Sequence, residues 1–328
     1  MARTYDELLQ EQATAAVQVL GAHHTSWNRT VEMLPLDDPR SGLVTWDHTI
    51  KLHPDRVVKD LREMFDTAGQ QHDESTLRRY REALRVLLHE NVHLLAAAGT
   101  SHGMGADAYQ EPAKEILEEA TTEIATQQNL NEYIKALDLE AVAPGISRER
   151  TEPAYGEYVP AVETFAEEIG DASGHSGREV IRQMAVVNAE NKFSVAAGLL
   201  YDQKLASLAP AQAREGSVQA IAEAMQPAFA AVHGFDPDDP QDIQMSELAG
   251  LMAARAGGKK ADELTKYWQA NQDLRRSIDA GLSASTPLRG PQTPGHGAAP
   301  GRSESPDRDG RRPEAGSARP ASHRTRGD

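Results

Sequence analysis

The sequence predicts a mainly α-helical protein with a small β element, an α+β arrangement. Ala, Leu, Glu and Gln are frequent, and all four favour helices. Residues 1–282 form a largely helical pattern, but residues 43–53 carry β-branched and apolar side chains at a period near two. We interpret 43–53 as one strand or a hairpin, with the mixed polarity of a sheet edge.

The remaining segments each show signals of helix starts and stops. Pro54 suits the first turn of its helix, and Asp73 or Ser75 can cap the helix that carries the main motif. Three glycines between Gly99 and Gly105 mark a loop after that helix. The predicted helices cover residues 6–21, 54–68, 74–98, 112–137, 159–170, 178–207, 210–232 and 243–282, the last of them split at Gly257-Gly258.

Composition and charge exclude several classes of protein. The chain has no cysteine, so disulfides and thiolate zinc sites are excluded and a metal would need His and carboxylate ligands. A net charge of −16 argues against a nucleic-acid partner. No run of about 18 uncharged apolar residues is present, so we expect no membrane association. The start of the sequence does not resemble a secretory signal, which predicts a cytoplasmic protein and leaves non-classical export open.

The composition changes at about residue 283. From there to residue 328 the chain is rich in Gly, Pro, Ser and Arg and has almost no large apolar side chain. Such a segment cannot bury enough apolar surface to offset the entropy of ordering. We therefore expect a disordered tail over 283–328, either solvated or bound to a partner.

The most specific motif is His89-Glu90-Asn91-Val92-His93, an HExxH pattern inside an apolar run. Residues four apart lie on one face of a helix, so both imidazoles can close on one metal ion. Glu90 lies at the edge of that face, where it can take a proton from a metal-bound water. The alternative is that His89 and His93 are core histidines satisfied by hydrogen bonds. Buried ionisable groups in so apolar a run need a partner or a metal, which favours the metal site.

A catalytic zinc usually takes three protein ligands and keeps one position for water, and HExxH supplies two. The following helix contains Glu118-Glu119-Ala120-Thr121-Thr122-Glu123. Together with HExxH, this string resembles the zincin-type metallopeptidases with a glutamate third ligand, the gluzincins. The resemblance covers about residues 40–170, and Ala120 stands where Gly is commoner. It implies Glu119 as third ligand of Zn²⁺ and Glu123 as hydrogen-bond partner of a metal-bound His, with Glu118 as the alternative ligand.

His102 offers a second route to a third ligand. Metzincins, another zincin group, place a third His six residues after the second, and here that position is Gly99. The spacing therefore disfavours His102, which could instead line the cleft.

The resemblance also implies a reaction. Zinc-activated water would hydrolyse a peptide bond with Glu90 as general base. A downstream Tyr or His would donate a hydrogen bond to the oxyanion. Tyr158 is favoured for this role, and the alternatives are Tyr155, Tyr201 and His233. The strand at 43–53 would bind a peptide or protein substrate through main-chain hydrogen bonds.

On this interpretation residues 1–170 form the catalytic region, and residues 171–282 form a helical C-terminal part that closes the cleft. Two other functions stay open. One is a non-catalytic binding or regulatory protein on a zincin scaffold, in which a fourth protein ligand closes a structural metal site. The other is a delivered metalloprotease effector or toxin that uses the tail for export or tethering.

Overall fold

The first element is helix α1 (Tyr5–Leu20), which the side chain of Thr4 caps by accepting a hydrogen bond from the Glu7 N–H at 3.2 Å. The structure is a computed structural model that describes residues 2–284. The tail predicted over 283–328 lies outside the described residues from 285 onward. Ser283 and Ala284 are the last residues of a helix.

Four short strands follow α1: β1 (His24–Thr25), β2 (Val31–Met33), β3 (Gly42–Val44) and β4 (Ile50–Leu52). A three-stranded sheet has the order β2-β4-β3, with β2 parallel and β3 antiparallel to β4. Gly42 pairs with Leu52 and Val44 with Ile50. The segment 43–53 is therefore a hairpin, one of the two predicted alternatives, and β3 lies at the edge of the sheet.

The motif helix follows the hairpin. A π-helical turn (Pro54–Val58) leads into α2 (Lys59–Asp66), and α3 spans Glu74–His93. Asp73 caps α3 by accepting a hydrogen bond from the Thr76 N–H at 2.7 Å. The predicted end at residue 98 is wrong, because β5 (Leu95–Ala96) leaves the helix axis and pairs antiparallel with β1.

The remaining structure is helical: α4 (Pro112–Ala136), α5 (Leu139–Val142), α6 (Val159–Ser173), α7 (Gly177–Ala185), α8 (Lys192–Lys204), α9 (Arg214–Ala230) and α10 (Pro240–Ala284). Short 3₁₀ turns cover His102–Gly105, Ala108–Gln110, Ile146–Arg148, Ala189–Asn191 and Ala211–Ala213. The single helix predicted over 178–207 is thus two helices, α7 and α8, because a non-helical segment and a 3₁₀ turn interrupt it.

Gly257-Gly258 does not split the last helix, contrary to the prediction, since α10 continues through both residues. A Cβ on Gly257 would lie 2.9 Å from Cγ of Met225 in α9. A Cβ on Gly250 would lie 2.8 Å from the carbonyl carbon of Ala161 in α6. These glycines therefore allow close packing of α10 on its neighbours. Among residues 2–284, no helix combines the length and the hydropathy needed to span a membrane.

Helix α4 lies at the centre of the packing and contacts α1, α3, α6, α7 and α9. Phe165, Phe193 and Phe229 form an aromatic cluster with ring centroids 5.1–6.3 Å apart. Met1–Asp279 forms one compact unit, and of the second unit, Ala280–Asp328, only the first five residues are described, all in α10. Because α4 is covered on several sides, polar side chains on it that face α3 are withdrawn from solvent.

Candidate metal centre

Helices α3 and α4 bring three predicted ligands to one point. The Nε2 atoms of His89 and His93 are 3.1 Å apart, and Oε2 of Glu119 lies 3.5 Å from the first and 3.4 Å from the second. Ligands bound at ~2.1 Å to a tetrahedral ion lie ~3.4 Å from one another. The three atoms therefore have the spacing of one face of a coordination tetrahedron.

The chemistry of the donor set also fits a metal ion. Oε2 of Glu119 is buried and has no hydrogen-bond partner among residues 2–284. Two imidazole Nε2 atoms face each other beside it, and both can act as metal ligands. Within the described part of the chain this group has three members, His89, His93 and Glu119. A fourth tetrahedral position would therefore stay open to solvent or substrate.

The Nδ1 atom of each imidazole contacts a different carboxylate, on the side of the ring away from the metal position. His89 Nδ1 lies 3.0 Å from Oε2 of Glu123, and His93 Nδ1 lies 2.8 Å from Oε1 of Glu118. When Nδ1–H donates to the carboxylate, the lone pair on Nε2 is left for a metal. Glu123 thus lies where the sequence predicted it. Glu118, the alternative ligand, binds the far side of His93 instead.

Glu119 is fixed by a residue that the sequence did not indicate. The hydroxyl of Tyr109 donates a hydrogen bond of 2.6 Å to Oε1 of Glu119. This contact occupies one carboxylate oxygen and leaves Oε2 facing His89 and His93. Tyr109 belongs to no motif, and its place in the loop region between α3 and α4 is the only sequence signal that could have pointed to it.

The electrostatics of the cluster are dominated by attraction between imidazoles and carboxylates. Burial lowers the pKa of His93, but the carboxylates of Glu119 and Glu118 outweigh burial and raise it to about 10. Burial raises the pKa of Glu119, but the two imidazoles hold it well below its usual range. The metal-free site is therefore strongly attractive to cations, and a metal must displace protons from the imidazoles to bind.

A cavity of about 700 Å³ opens beside this cluster. One wall is the edge strand β3 with its flanking residues Ser41 and Thr45–Trp46, and the opposite side includes α3 and α4. Glu90 lines the cavity, is 6% exposed and is not part of the three-ligand group. Burial raises its pKa above the ordinary value for a glutamate.

Gly42 on β3 packs directly against Glu90. A Cβ at this glycine would lie 2.8 Å from Cδ of Glu90 and 2.8 Å from Cγ1 of Val86. The edge strand can thus approach α3 closely only because position 42 has no side chain. Sequence reasoning missed this glycine, since the approach joins two elements that are far apart in the chain.

The favoured oxyanion donor, Tyr158, is not at the cavity. Its ring stacks on Tyr155 with centroids 6.1 Å apart, and Tyr155 in turn stacks on His89 at 5.8 Å. Tyr155 lines the cavity, whereas Tyr158, Tyr201 and His233 are not among the described residues that do so. Tyr155, one of the predicted alternatives, therefore lies one ring closer to the three converging ligands than Tyr158 does.

His102 lines the cavity, as the sequence allowed, and does not join the three converging ligands. Its Nδ1 lies 3.1 Å from the backbone oxygen of His93, and its ring stacks on Trp46 with centroids 4.7 Å apart. Burial lowers its pKa to about 4, so the ring is neutral at pH 7. His102 therefore supports the end of α3 and forms part of the cavity wall.

Comparisons with protein-family models, with curated proteins and with solved structures gave no match.

Proposed function

We propose that this chain is a zinc-dependent metallopeptidase of the zincin type with a glutamate third ligand. The observation that carries the proposal is the triangle of His89, His93 and Glu119 beside an open cavity. Three protein ligands with one free position are the usual set of a catalytic zinc. Glu90 comes from the same helix as the two histidines and faces the same cavity.

The chain's own residues supply the acid–base part of the reaction. A bound zinc would lower the pKa of water toward 7 and polarise a carbonyl. Glu90 would accept a proton from the attacking water and pass it to the leaving amine. Its raised pKa makes it a stronger proton acceptor than an exposed glutamate. Tyr155, stacked beside His89, is the best placed donor for the developing oxyanion.

The edge strand supports an extended peptide as substrate. Among residues 2–284, β3 pairs with β4 on one side only, so its other edge can accept main-chain hydrogen bonds. Its residues line the cavity that contains Glu90 and the three ligands. A peptide added to β3 would therefore run past the proposed base.

The competing proposal of a purely structural metal is less well supported. A structural zinc is normally closed by a fourth protein ligand. The nearest candidate, His102, directs Nδ1 to the backbone of His93 and stands outside the three-ligand group. The open position favours catalysis.

The proposal is tested by metal-dependent cleavage of an unfolded protein substrate and of a mixed-sequence peptide library. Zinc-loaded protein is expected to cleave both, to lose activity on chelation and to regain it when Zn²⁺ is restored. Mass spectrometry of the products identifies the bonds that are cut. A preparation that holds one zinc per chain and cleaves neither substrate would overturn the proposal.

Gly42→Ala is expected to reduce turnover by ~10²-fold while zinc binding is retained, because the new methyl group displaces the Glu90 carboxylate from its place in the cavity. Steady-state kinetics and metal analysis of the same sample measure the two effects. Gly216→Ala is the matched control, since a Cβ there meets no atom within 4 Å and its φ is not positive. Unchanged kcat in the Gly42 variant would contradict the proposed packing of β3 on the base.

A further inference from the structure

The carboxylates that hold the two imidazoles are themselves held by buried cations. Lys192, the first residue of α8, is fully buried. Its Nζ lies 3.1 Å from Oε2 of Glu118 and donates hydrogen bonds to the backbone oxygens of Met184 at 2.9 Å and Val187 at 3.2 Å. A fully buried lysine is rare in proteins and requires such partners.

Arg85 contacts Glu123, the carboxylate beside the other imidazole. Its Nη1 donates a hydrogen bond of 2.7 Å to Oε2 of Glu123, the oxygen that also faces Nδ1 of His89. Two chains of contacts, Arg85–Glu123–His89 and Lys192–Glu118–His93, thus run from a cation through a carboxylate to a metal-site imidazole. We call each of them a relay.

The relays also contribute two carboxylates and two cations to the charged side chains around the site. The mostly buried charged side chains around it, among residues 2–284, are four carboxylates and two cations: Glu90, Glu118, Glu119, Glu123, Arg85 and Lys192. Carboxylates therefore outnumber cationic side chains around the site, which favours a bound cation.

Lys192 acts on Glu118 directly. Its Nζ lies 3.1 Å from Oε2 of Glu118 while Nδ1 of His93 lies 2.8 Å from Oε1, so the carboxylate is held between the two groups. Lys192 thus contacts the oxygen that does not face His93, which keeps the carboxylate turned away from the metal position. Without that contact, Glu118 could compete with Glu119, its neighbour on α4.

We infer that Lys192 is a positioning residue that sets the metal affinity of the site by holding Glu118 against His93. The inference rests on the proposed metal site and not on hydrolysis, so it is tested by metal binding alone. It gives the C-terminal helices a role at the site, because α8 reaches Glu118 through Lys192.

The first experiment compares Lys192→Met with wild type. We expect Zn²⁺ affinity to fall ~10–100-fold, the range for losing an outer partner of a metal ligand. Competition with a coloured chelator gives the affinity, and the visible spectrum of the Co²⁺-substituted protein reports a changed ligand geometry. Lys114→Met is the matched control, because Lys114 pairs with Glu111 and Glu190 away from the metal ligands. Wild-type affinity and spectrum in the Lys192 variant would overturn the inference.

A double-mutant cycle with Glu118→Gln separates positioning from a general structural role. If Lys192 acts through Glu118, Lys192→Met added to Glu118→Gln changes Zn²⁺ affinity by less than about twofold. A further drop of ~10-fold or more, additive with the first, would overturn the inference. The double variant removes both buried charges, so it also decides the matter if Lys192→Met alone does not fold.

Discussion

Glu90→Gln is expected to lower kcat for peptide hydrolysis by ~10²–10⁴-fold, the usual contribution of a general acid–base group, while zinc stays bound. The amide keeps the size of the carboxyl but cannot accept a proton. Zinc is retained because Glu90 does not belong to the group formed by His89, His93 and Glu119. Turnover, metal content and the circular dichroism spectrum of one sample measure the effect and confirm folding.

The matched control for this variant is Glu115→Gln. Glu115 also lines the cavity, one turn before Glu119 on α4, so its replacement removes one negative charge from the same space. A loss caused only by altered charge would appear in both variants, whereas a loss of the base appears only in Glu90→Gln. Equal turnover of wild type and Glu90→Gln would refute the role of Glu90.

Glu119→Ala is expected to abolish stoichiometric zinc binding and, with it, activity. Oε2 of Glu119 is one of three converging ligand atoms, at 3.4–3.5 Å from the imidazole nitrogens. Its removal leaves two ligands, so the loss of affinity should exceed the ~10–100-fold expected for an outer-shell partner. Zinc titration followed by metal analysis after dialysis measures the change.

Glu123→Gln provides the comparison for that experiment. Oε2 of Glu123 lies 3.0 Å from Nδ1 of His89, and Glu123 is not part of the three-ligand group. Its variant should therefore bind zinc more weakly but still bind it at saturating concentration. Full zinc occupancy in Glu119→Ala would show that the third ligand lies elsewhere. Loss of zinc in Glu118→Ala together with that result would make Glu118 the ligand.

Local periodicity predicted the convergence of ligands well. Residues four apart share a helix face, so the spacing of His89 and His93 on α3 placed both imidazoles together. The resemblance to the gluzincins, and not periodicity alone, indicated Glu119 and Glu123 on α4, where one lies beside both imidazoles and the other beside His89. The alternation of residues 43–53 likewise predicted one strand or a hairpin, and the structure forms the hairpin.

Features that depend on distant parts of the chain could not be predicted in the same way. The sequence indicates Glu118 only as the alternative ligand, but the structure buries it to 1% exposure behind His93 because α4 is surrounded by other helices. Its partner Lys192 comes from α8, and nothing in the local pattern joins them. The end of α3 at His93 likewise depends on the pairing of β5 with β1.

The two tyrosines considered as oxyanion donors show where a sequence motif stops being informative. Tyr158 directly precedes the first residue of α6, and Tyr155 lies three residues before it. Both are tyrosines, so residue type does not distinguish them. Only the fold decides which ring faces the ligands, and Tyr155 does so with a left-handed backbone conformation, φ 57°. Sequence spacing does not predict such a conformation for a tyrosine.

The place of β3 beside the proposed base has a consequence for which proteins could be cut. A chain that pairs with a sheet edge must be fully extended over several residues, and its own backbone groups must be free of other partners. Helices of a native target meet neither condition, and its internal strands are extended but have their backbone groups already paired. Selection among cellular proteins would then follow how often a target segment unravels, so that well-folded neighbours are spared irrespective of their sequence.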